Sequence, residues 1–227
     1  VHELRSLPLS CLFIWKVSVM QTPELKNLIV AVKGAGDLAT GVASRLFNAN
    51  IKKIFMMEVK APLAVRRQVS FCEAIHEGNF GVEGIRAVKA LDADEMKTAW
   101  ENETIPVIVD PGWESIKKLT PHIVIDAIMA KKNLGTSCND APLVIGLGPG
   151  FEAGNDVHAV IETNRGHSLG KVIPKGLAEP DTGIPGSING YKTQRLLRAP
   201  CNGIFYSDLS IGTLVNEGEV IGHICKK

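Results

Sequence analysis

The sequence has no cysteine framework: Cys11, Cys72, Cys138, Cys201 and Cys225 are odd in number, far apart and form no C-x-x-C pair. That spacing yields neither a disulfide-stapled fold nor a zinc ribbon, and it points to a reducing, cytoplasmic setting. A charge excess of either sign is also missing, with 25 Lys and Arg against 24 Asp and Glu and a formal net charge of +1. A general nucleic-acid-binding face draws on surplus basic residues, so nucleic acid is excluded as an expected partner. The apolar stretch from Leu7 to Val19 is interrupted by Lys16, is too short to span a bilayer and is followed by no small-residue cleavage site. No membrane partner is expected. Met20-Gln-Thr-Pro23 resembles an ordinary translation start, so residues 1–19 read as an upstream extension and 1–23 as lying outside the fold. There is no G-x-S-x-G nucleophile elbow, no internal repeat and no low-complexity tract.

What is present is a chain of 227 residues, 45% of them hydrophobic, which excludes disorder. A chain of this size buries about 70% of its unfolded surface, enough for one main domain with a small appendage. Leu28–Val32, Ile54–Met57, Ile105–Val109, Ile123–Ile125 and Leu143–Leu147 are apolar runs suited to strands buried on both faces. Leu38, Val42 and Leu46 predict a helix between the first two, closed near Asn50. Pro62 to Gly78 predicts a second helix, with Val65, Val69 and Cys72 as its apolar stripe. Asp92 to Glu101 predicts a third, and Val82 to Leu91 reads weakly as a strand. Strands alternating with helices imply right-handed crossovers and a parallel sheet over 24–155. Past that point short β-runs separated by Gly and Pro predict a β-rich region, 156–197, and then a strand–turn–strand over 198–227 with strands at 203–206 and 218–222.

The chemistry concentrates at Gly34-x-Gly36-x-x-Ala39, set between a strand and a helix. Such glycines permit a tight turn and close backbone approach to a pyrophosphate, and an acid about 20 residues later takes ribose hydroxyls. Glu58, at the end of the second strand, stands in that place. The pattern predicts a Rossmann-like domain with a nucleotide or other phosphate-bearing ligand, NAD among them. Asp37 opposes a plain dinucleotide site, because its carboxylate would cap the helix and occupy the anion position unless a cation offsets it. Arg66 and Arg67 read either as a second phosphate or carboxylate contact or as a solvated helix face. Lys131, Lys132, Asn133 and Thr136 offer donors after another strand end, and Gly146–Gly150, with Gly148 at its centre, is a second glycine-rich loop. Asp156, His158, Glu162 and His167 match no metal signature and read as hydrogen-bonded loop residues; no metal is expected.

At Lys33-Gly-Ala-Gly-Asp-Leu-Ala-Thr-Gly41 the chain resembles the YqeB-type proteins of the selenium-dependent molybdenum hydroxylase system, relatives of the XdhC maturation factors. The likeness runs on through Pro62–Arg67, Val69–Phe71, Asp126–Ile128, Ala130–Thr136, Ala141–Phe151, Asp156–His158, Glu162–His167, Glu179–Pro180 and Thr182–Gly186. It implies a cytoplasmic accessory protein acting on a molybdenum hydroxylase apoenzyme, alongside other maturation factors, by binding and delivering the molybdenum cofactor (a pterin dinucleotide) or a related nucleotide. It also implies that Asp37, Arg66, Arg67, Lys131, Asn133, His158 and Arg165 line one site with the glycine turn. No catalytic residue follows from it, and whether the chain is an enzyme or a homo-oligomer stays open. Arg198 to Gly222 resembles the first half of a biotinyl/lipoyl-like hairpin sandwich, which by itself leaves an unpaired edge. Two other functions remain: an NAD(P)-dependent oxidoreductase, and a non-catalytic scaffold docking the hydroxylase through that hairpin.

Overall fold

The computed structural model describes residues 24–184 and 186–226. The expected extension over 1–23 lies outside the described residues. From Leu25 onward the chain runs β1 (Ile29–Lys33), α1 (Asp37–Asn48), β2 (Lys53–Glu58), α2 (Glu73–Glu77), β3 (Asn79–Val82), β4 (Ile85–Ala90), α3 (Ala93–Glu101), β5 (Ile105–Val109), α4 (Glu114–Leu119), β6 (Ile123–Asp126), β7 (Leu143–Leu147), β8 (Glu152–Ala153), β9 (Ala159–Ile161), β10 (Val172–Ile173) and β11 (Gly176–Leu177). A second unit, beginning at Pro180, contains β12 (Ile204–Tyr206) and β13 (His223–Cys225).

Nine strands form one sheet in the order β10-β9-β7-β6-β1-β2-β5-β4-β3. All neighbours from β9 to β4 pair in parallel, and only the two edges are antiparallel. The central six, β5-β2-β1-β6-β7-β9, have the doubly wound arrangement in which the winding reverses between β1 and β6. The apolar run of β1 follows from that position: Val30, Ala31 and Val32 are all fully buried, Val30 and Val32 on the α1 side and Ala31 on the opposite side. Each of the two valines contributes about 1.5–3 kcal/mol when fully buried.

The first crossover is shaped by small residues. Ala39, Ala43 and Phe47 form the buried face of α1, one position on from the predicted stripe, and Leu38 is left exposed. Alanine at 39 and 43 lets the helix lie close on the sheet. Asn50 closes it in a left-handed conformation, as its residue type allows. The helix predicted from Pro62 is corrected: only Arg67–Val69, a 3-10 turn, and α2 are helical, and Leu63 and Val65 are 100% and 96% exposed. Cys72 is buried as the residue preceding α2. Helix α4, unheralded by any long apolar stripe, covers the face opposite α1 through Ile116.

The weak strand at 82–91 resolves into the β3–β4 hairpin, turning at Glu83-Gly84. Strands β9 and β10 extend the main sheet, so residues 156–179 continue the first unit. In the second unit β12 pairs antiparallel with β13, which places the second strand of the hairpin at 223–225, after the expected 218–222. The Tyr206 and His223 rings stack across it with centroids 5.5 Å apart. Among the described residues no helix is long and apolar enough to cross a membrane.

Candidate functional site

The winding reversal puts the carboxyl ends of β1 and β6 side by side, Lys33 in register with Asp126. In open α/β sheets this is where ligands bind. Gly34 follows with φ +88, and a Cβ there would lie 3.2 Å from the Ile128 Cα and 3.3 Å from the Ala127 carbonyl oxygen. Its glycine therefore serves the close passage of the loop after β6. Gly36 differs: it caps α1 at an ordinary φ of −68°, and the space beside its Cα is open.

The turn's own polar groups are engaged by the protein. Glu58 accepts the Ala35 N–H with Oε2 at 2.9 Å and the Val59 N–H with Oε1 at 2.8 Å. The Ala35 carbonyl accepts the Cys72 N–H at 2.8 Å and the Thr40 hydroxyl at 3.3 Å. Asp37 is the first residue of α1 and accepts the N–H of Leu38 at 2.9 Å with Oδ1. Its Oδ2 accepts the Arg66 Nε–H at 2.6 Å, so the cation that Asp37 requires is supplied by Arg66. Arg66 is largely exposed, which keeps that pair weak. Arg66 and Arg67 do not share a helix start. Arg67 turns to the buried Glu73, donating from Nε at 3.0 Å and Nη2 at 2.6 Å, and the hydrogen-bonded charge raises its pKa further. Burial, with Glu58 and Glu73 nearby, pushes the Cys72 thiol up to about 11.

On the other face a second constellation surrounds Lys33, only 1% exposed. Its ammonium donates to Thr136 Oγ1 and Asp140 Oδ2, both at 2.8 Å, and lies 5.2 Å from the centroid of the Trp113 ring. Thr136 in turn donates to Asp126 Oδ2 at 2.6 Å, while Asp126 Oδ1 accepts the Ile128 N–H at 3.2 Å. Burial pushes the Asp126 carboxyl above its ordinary value, against the pull of the Thr136 hydroxyl, the Ile128 N–H and Lys33. Asn133 builds the turn that presents Thr136: its Oδ1 accepts from Gly135 and Thr136, and its Nδ2 donates to the Thr136 carbonyl. Sequence reasoning named Asn133 and Thr136 as donors over the crevice but passed over Lys33, Trp113 and Asp140. The available signal was a lysine closing an otherwise apolar central strand, a charge that burial obliges to find a partner.

The remaining expected residues are dispersed. Lys131, in a left-handed conformation, and Lys132 run against Gly150, where a Cβ would sit 2.6 Å from the Lys132 nitrogen. Gly148 donates its N–H to the Ile161 carbonyl at 2.8 Å, tying the second glycine loop to β9. Arg165 is exposed in the turn after β9, a strand that stands three places from β1 in the sheet. His158 lies at the opposite, amino end of the strands, where its Nδ1 accepts the Val144 N–H at 3.0 Å. His122 repeats that device at the start of β6, with Nδ1 accepting the Ile29 N–H at 3.0 Å. The structure thus gathers Gly34, Gly36, Asp37, Ala39, Glu58, Arg66 and Arg67 around the first crossover, and leaves His158 and Arg165 apart from them. Glu162, also buried, is pushed up by burial but held below its ordinary value by the N–H groups of Glu179, Asn164 and Thr163. Among the described residues no group of three or more His, Cys, Asp or Glu side chains is placed to hold a metal ion.

Fold and crevice define a doubly wound α/β domain of Rossmann-like type. Over 196 residues, 86% of its length, the chain is 49% identical to YqeB of Escherichia coli (strain K12), a protein described as uncharacterized. That likeness supports the YqeB family and by itself conveys no activity. The matched segment is 36% of that relative, so the chain spans about a third of its length. No family model matches the chain, and no solved structure matches it.

Proposed function

We propose that this chain is an accessory protein that binds a phosphate-bearing nucleotide ligand at the first crossover, and that the ligand is the pterin dinucleotide of a molybdenum hydroxylase or a related nucleotide delivered to that enzyme. The observation that carries the reading is the Gly34–Gly36 turn at the winding reversal, with open space beside Gly36 and the Arg66 guanidinium at the start of α1. For a phosphate the backbone at Gly36 permits close approach, and Arg66, bonded to Asp37 within the chain, would exchange that bond for one to the ligand. The molybdenum link comes from the family resemblance, and with it the hydroxylase as partner. When bound, the cofactor would supply its own redox chemistry; the residues of this chain only hold and orient its phosphates.

Native mass spectrometry of protein purified from a molybdenum-using host tests the reading. A co-purifying pterin dinucleotide or other nucleotide that is lost in Arg66→Ala supports it, whereas the bare chain counts against it. The competing oxidoreductase reading draws on Glu58 at the end of β2. Because Glu58 already clamps the Ala35 N–H, Glu58→Gln, which keeps an acceptor, is the better probe than Glu58→Ala. A co-purifying NAD lost in Glu58→Gln favours the oxidoreductase.

A further inference from the structure

The two edges of the nine-stranded sheet are finished differently. At one edge β10 is two residues long and is followed at once by Pro174, which has no N–H to offer a further strand. At the other edge β3, Asn79-Phe-Gly-Val82, contains neither lysine nor proline, and among the described residues it is bonded in the sheet to β4 alone. Natural sheets blunt such edges with charge, proline or bulges, because a bare row of N–H and C=O groups is a template for another strand.

Which groups β3 leaves open follows from its hairpin. Glu83 and Gly84, with φ +50 and +82, form a two-residue turn, so Val82 and Ile85 exchange both backbone bonds. The alternation runs down the strand: Phe80 pairs in the same way with Ala87, and the Gly78 carbonyl accepts the Lys89 N–H at 2.8 Å. Asn79 and Gly81 therefore aim their N–H and C=O groups away from β4. A Cβ at Gly81 would touch only the Ile85 carbonyl oxygen, at 3.9 Å, so space is open beside it. Arg86, in register with Gly81, is exposed and bonds to no other described residue. On the opposite face Phe80 is half-buried against the core that holds Val82 and Ile85.

We propose that β3 pairs antiparallel with the β3 of a second copy of this chain about a twofold axis, joining the two sheets into one. With Phe80 on the axis, Asn79 of each copy faces Gly81 of the other, and each such pair exchanges both N–H···O bonds. Phe80 then meets its own counterpart as a non-hydrogen-bonded pair, with Cα atoms about 4.5 Å apart, and the two rings pack. On the other face the absence of a side chain at Gly81 leaves a path for Arg86 to reach the carboxamide oxygen of the facing Asn79. The occupant is a second copy because this edge complements itself: the donors and acceptors at 79 and 81 match those at 81 and 79, with none left over. The exposed Glu77 and Glu83 flank the paired rows, and their like charge keeps the association weak and dependent on concentration. The contact uses nothing at the glycine turn, so it stands or falls separately from the proposed function.

Analytical ultracentrifugation of the full chain over a concentration series, joined to hydrogen exchange at single amides, tests the proposal. The chain is expected to sediment as a monomer–dimer equilibrium, with exchange at Asn79 and Gly81 slowing as the dimer fills. Gly81→Pro removes only an outward N–H, a place where an edge strand tolerates proline, and is expected to keep the thermal midpoint and weaken association about tenfold or more. Arg86→Ala is expected to weaken it about threefold, the scale of one cross-strand contact. The proposal is overturned if the wild-type chain stays monomeric at millimolar concentration, if folded Gly81→Pro associates as the wild type does, or if a dimer forms while exchange at Asn79 and Gly81 is unchanged. The wild-type exchange decides the matter even where Gly81→Pro does not fold.

Discussion

On the α1 side of the sheet the end of β1 is closed by the chain's own groups, whereas on the α4 side the same strand ends in a buried charge beside an open cleft. The α1 side satisfies its turn with Glu58 on the Ala35 N–H, Cys72 and Thr40 on the Ala35 carbonyl, and Arg66 on Asp37. The α4 side spends Lys33 on Thr136 and Asp140, and that network fastens the β6–β7 crossover, which contains only a 3-10 turn, to the sheet. One face is thus organised by several bonds, most of them from side chains to the backbone of the turn, and the other by a single buried ammonium and its partners. Loss of one bond among several is absorbed more easily than loss of the partner of a buried charge.

The largest expected effect comes from removing that charge. Lys33→Met leaves Asp140 and Thr136 without their donor and should cost about 3–5 kcal/mol in urea unfolding, as for other broken buried pairs. A loss below about 1 kcal/mol would mean that the crossover is held by something else. Next, the two glycines of the turn should part company. Gly34→Ala combines a positive φ with backbone contacts of 3.2–3.3 Å and should destabilise by about 1–3 kcal/mol. Gly36→Ala, at an ordinary φ with open space, should change stability by less than about 1 kcal/mol while weakening nucleotide binding. Equal destabilisation by both would erase the distinction between a structural and a ligand-facing glycine.

Two of the buried acids, Asp126 and Glu162, supply a pH contrast. Asp126 has a raised pKa in the folded chain, so its contribution is fully present below the ordinary value of 3.8 and is lost as pH rises through the raised one. Glu162 has a lowered pKa, so its contribution is present above the ordinary 4.5 and is lost as pH falls through the lowered one. Urea melts across the acid range should therefore show the wild-type advantage over Asp126→Asn shrinking with rising pH, and that over Glu162→Gln shrinking with falling pH. Parallel profiles would contradict the assignment. The smallest effect concerns rates of thiol labelling. Buried Cys72, its thiol at about 11, should be the last of the described cysteines to react with iodoacetamide at pH 8, and exposed Cys225 should precede it.

Much of the architecture was legible in the sequence for a simple reason. Strands buried on both faces carry continuous apolar runs, and β1, β2, β5, β6 and β7 all do, with charges only at the ends of β1, β2 and β6. Turn chemistry was equally readable: Gly34, Gly36 and Ala39 do mark a strand–turn–helix junction. Patterns that depend on distant packing were not. Val65, Val69 and Cys72 have helical spacing, yet Val65 is exposed, because the chain after Pro62 is drawn onto the Ala35 carbonyl and Thr40 hydroxyl through the N–H groups of Cys72 and Phe71. Helix α4 is only six residues long, and Asp110 at the end of β5 organises its start by accepting from Glu114 and Ser115.

What the sequence alone determined is the alternating order of apolar strands and helices and the glycine turn after the first strand, because period and turn chemistry are local properties. Which charges meet was decided by the tertiary structure. Arg66 reaches Asp37 across 29 residues, and Lys33 reaches Thr136 and Asp140 across 103 and 107. Only the winding of the sheet, which brings β6 beside β1, makes neighbours of groups that far apart and compels a buried ammonium to take the carboxylate and hydroxyl within its reach.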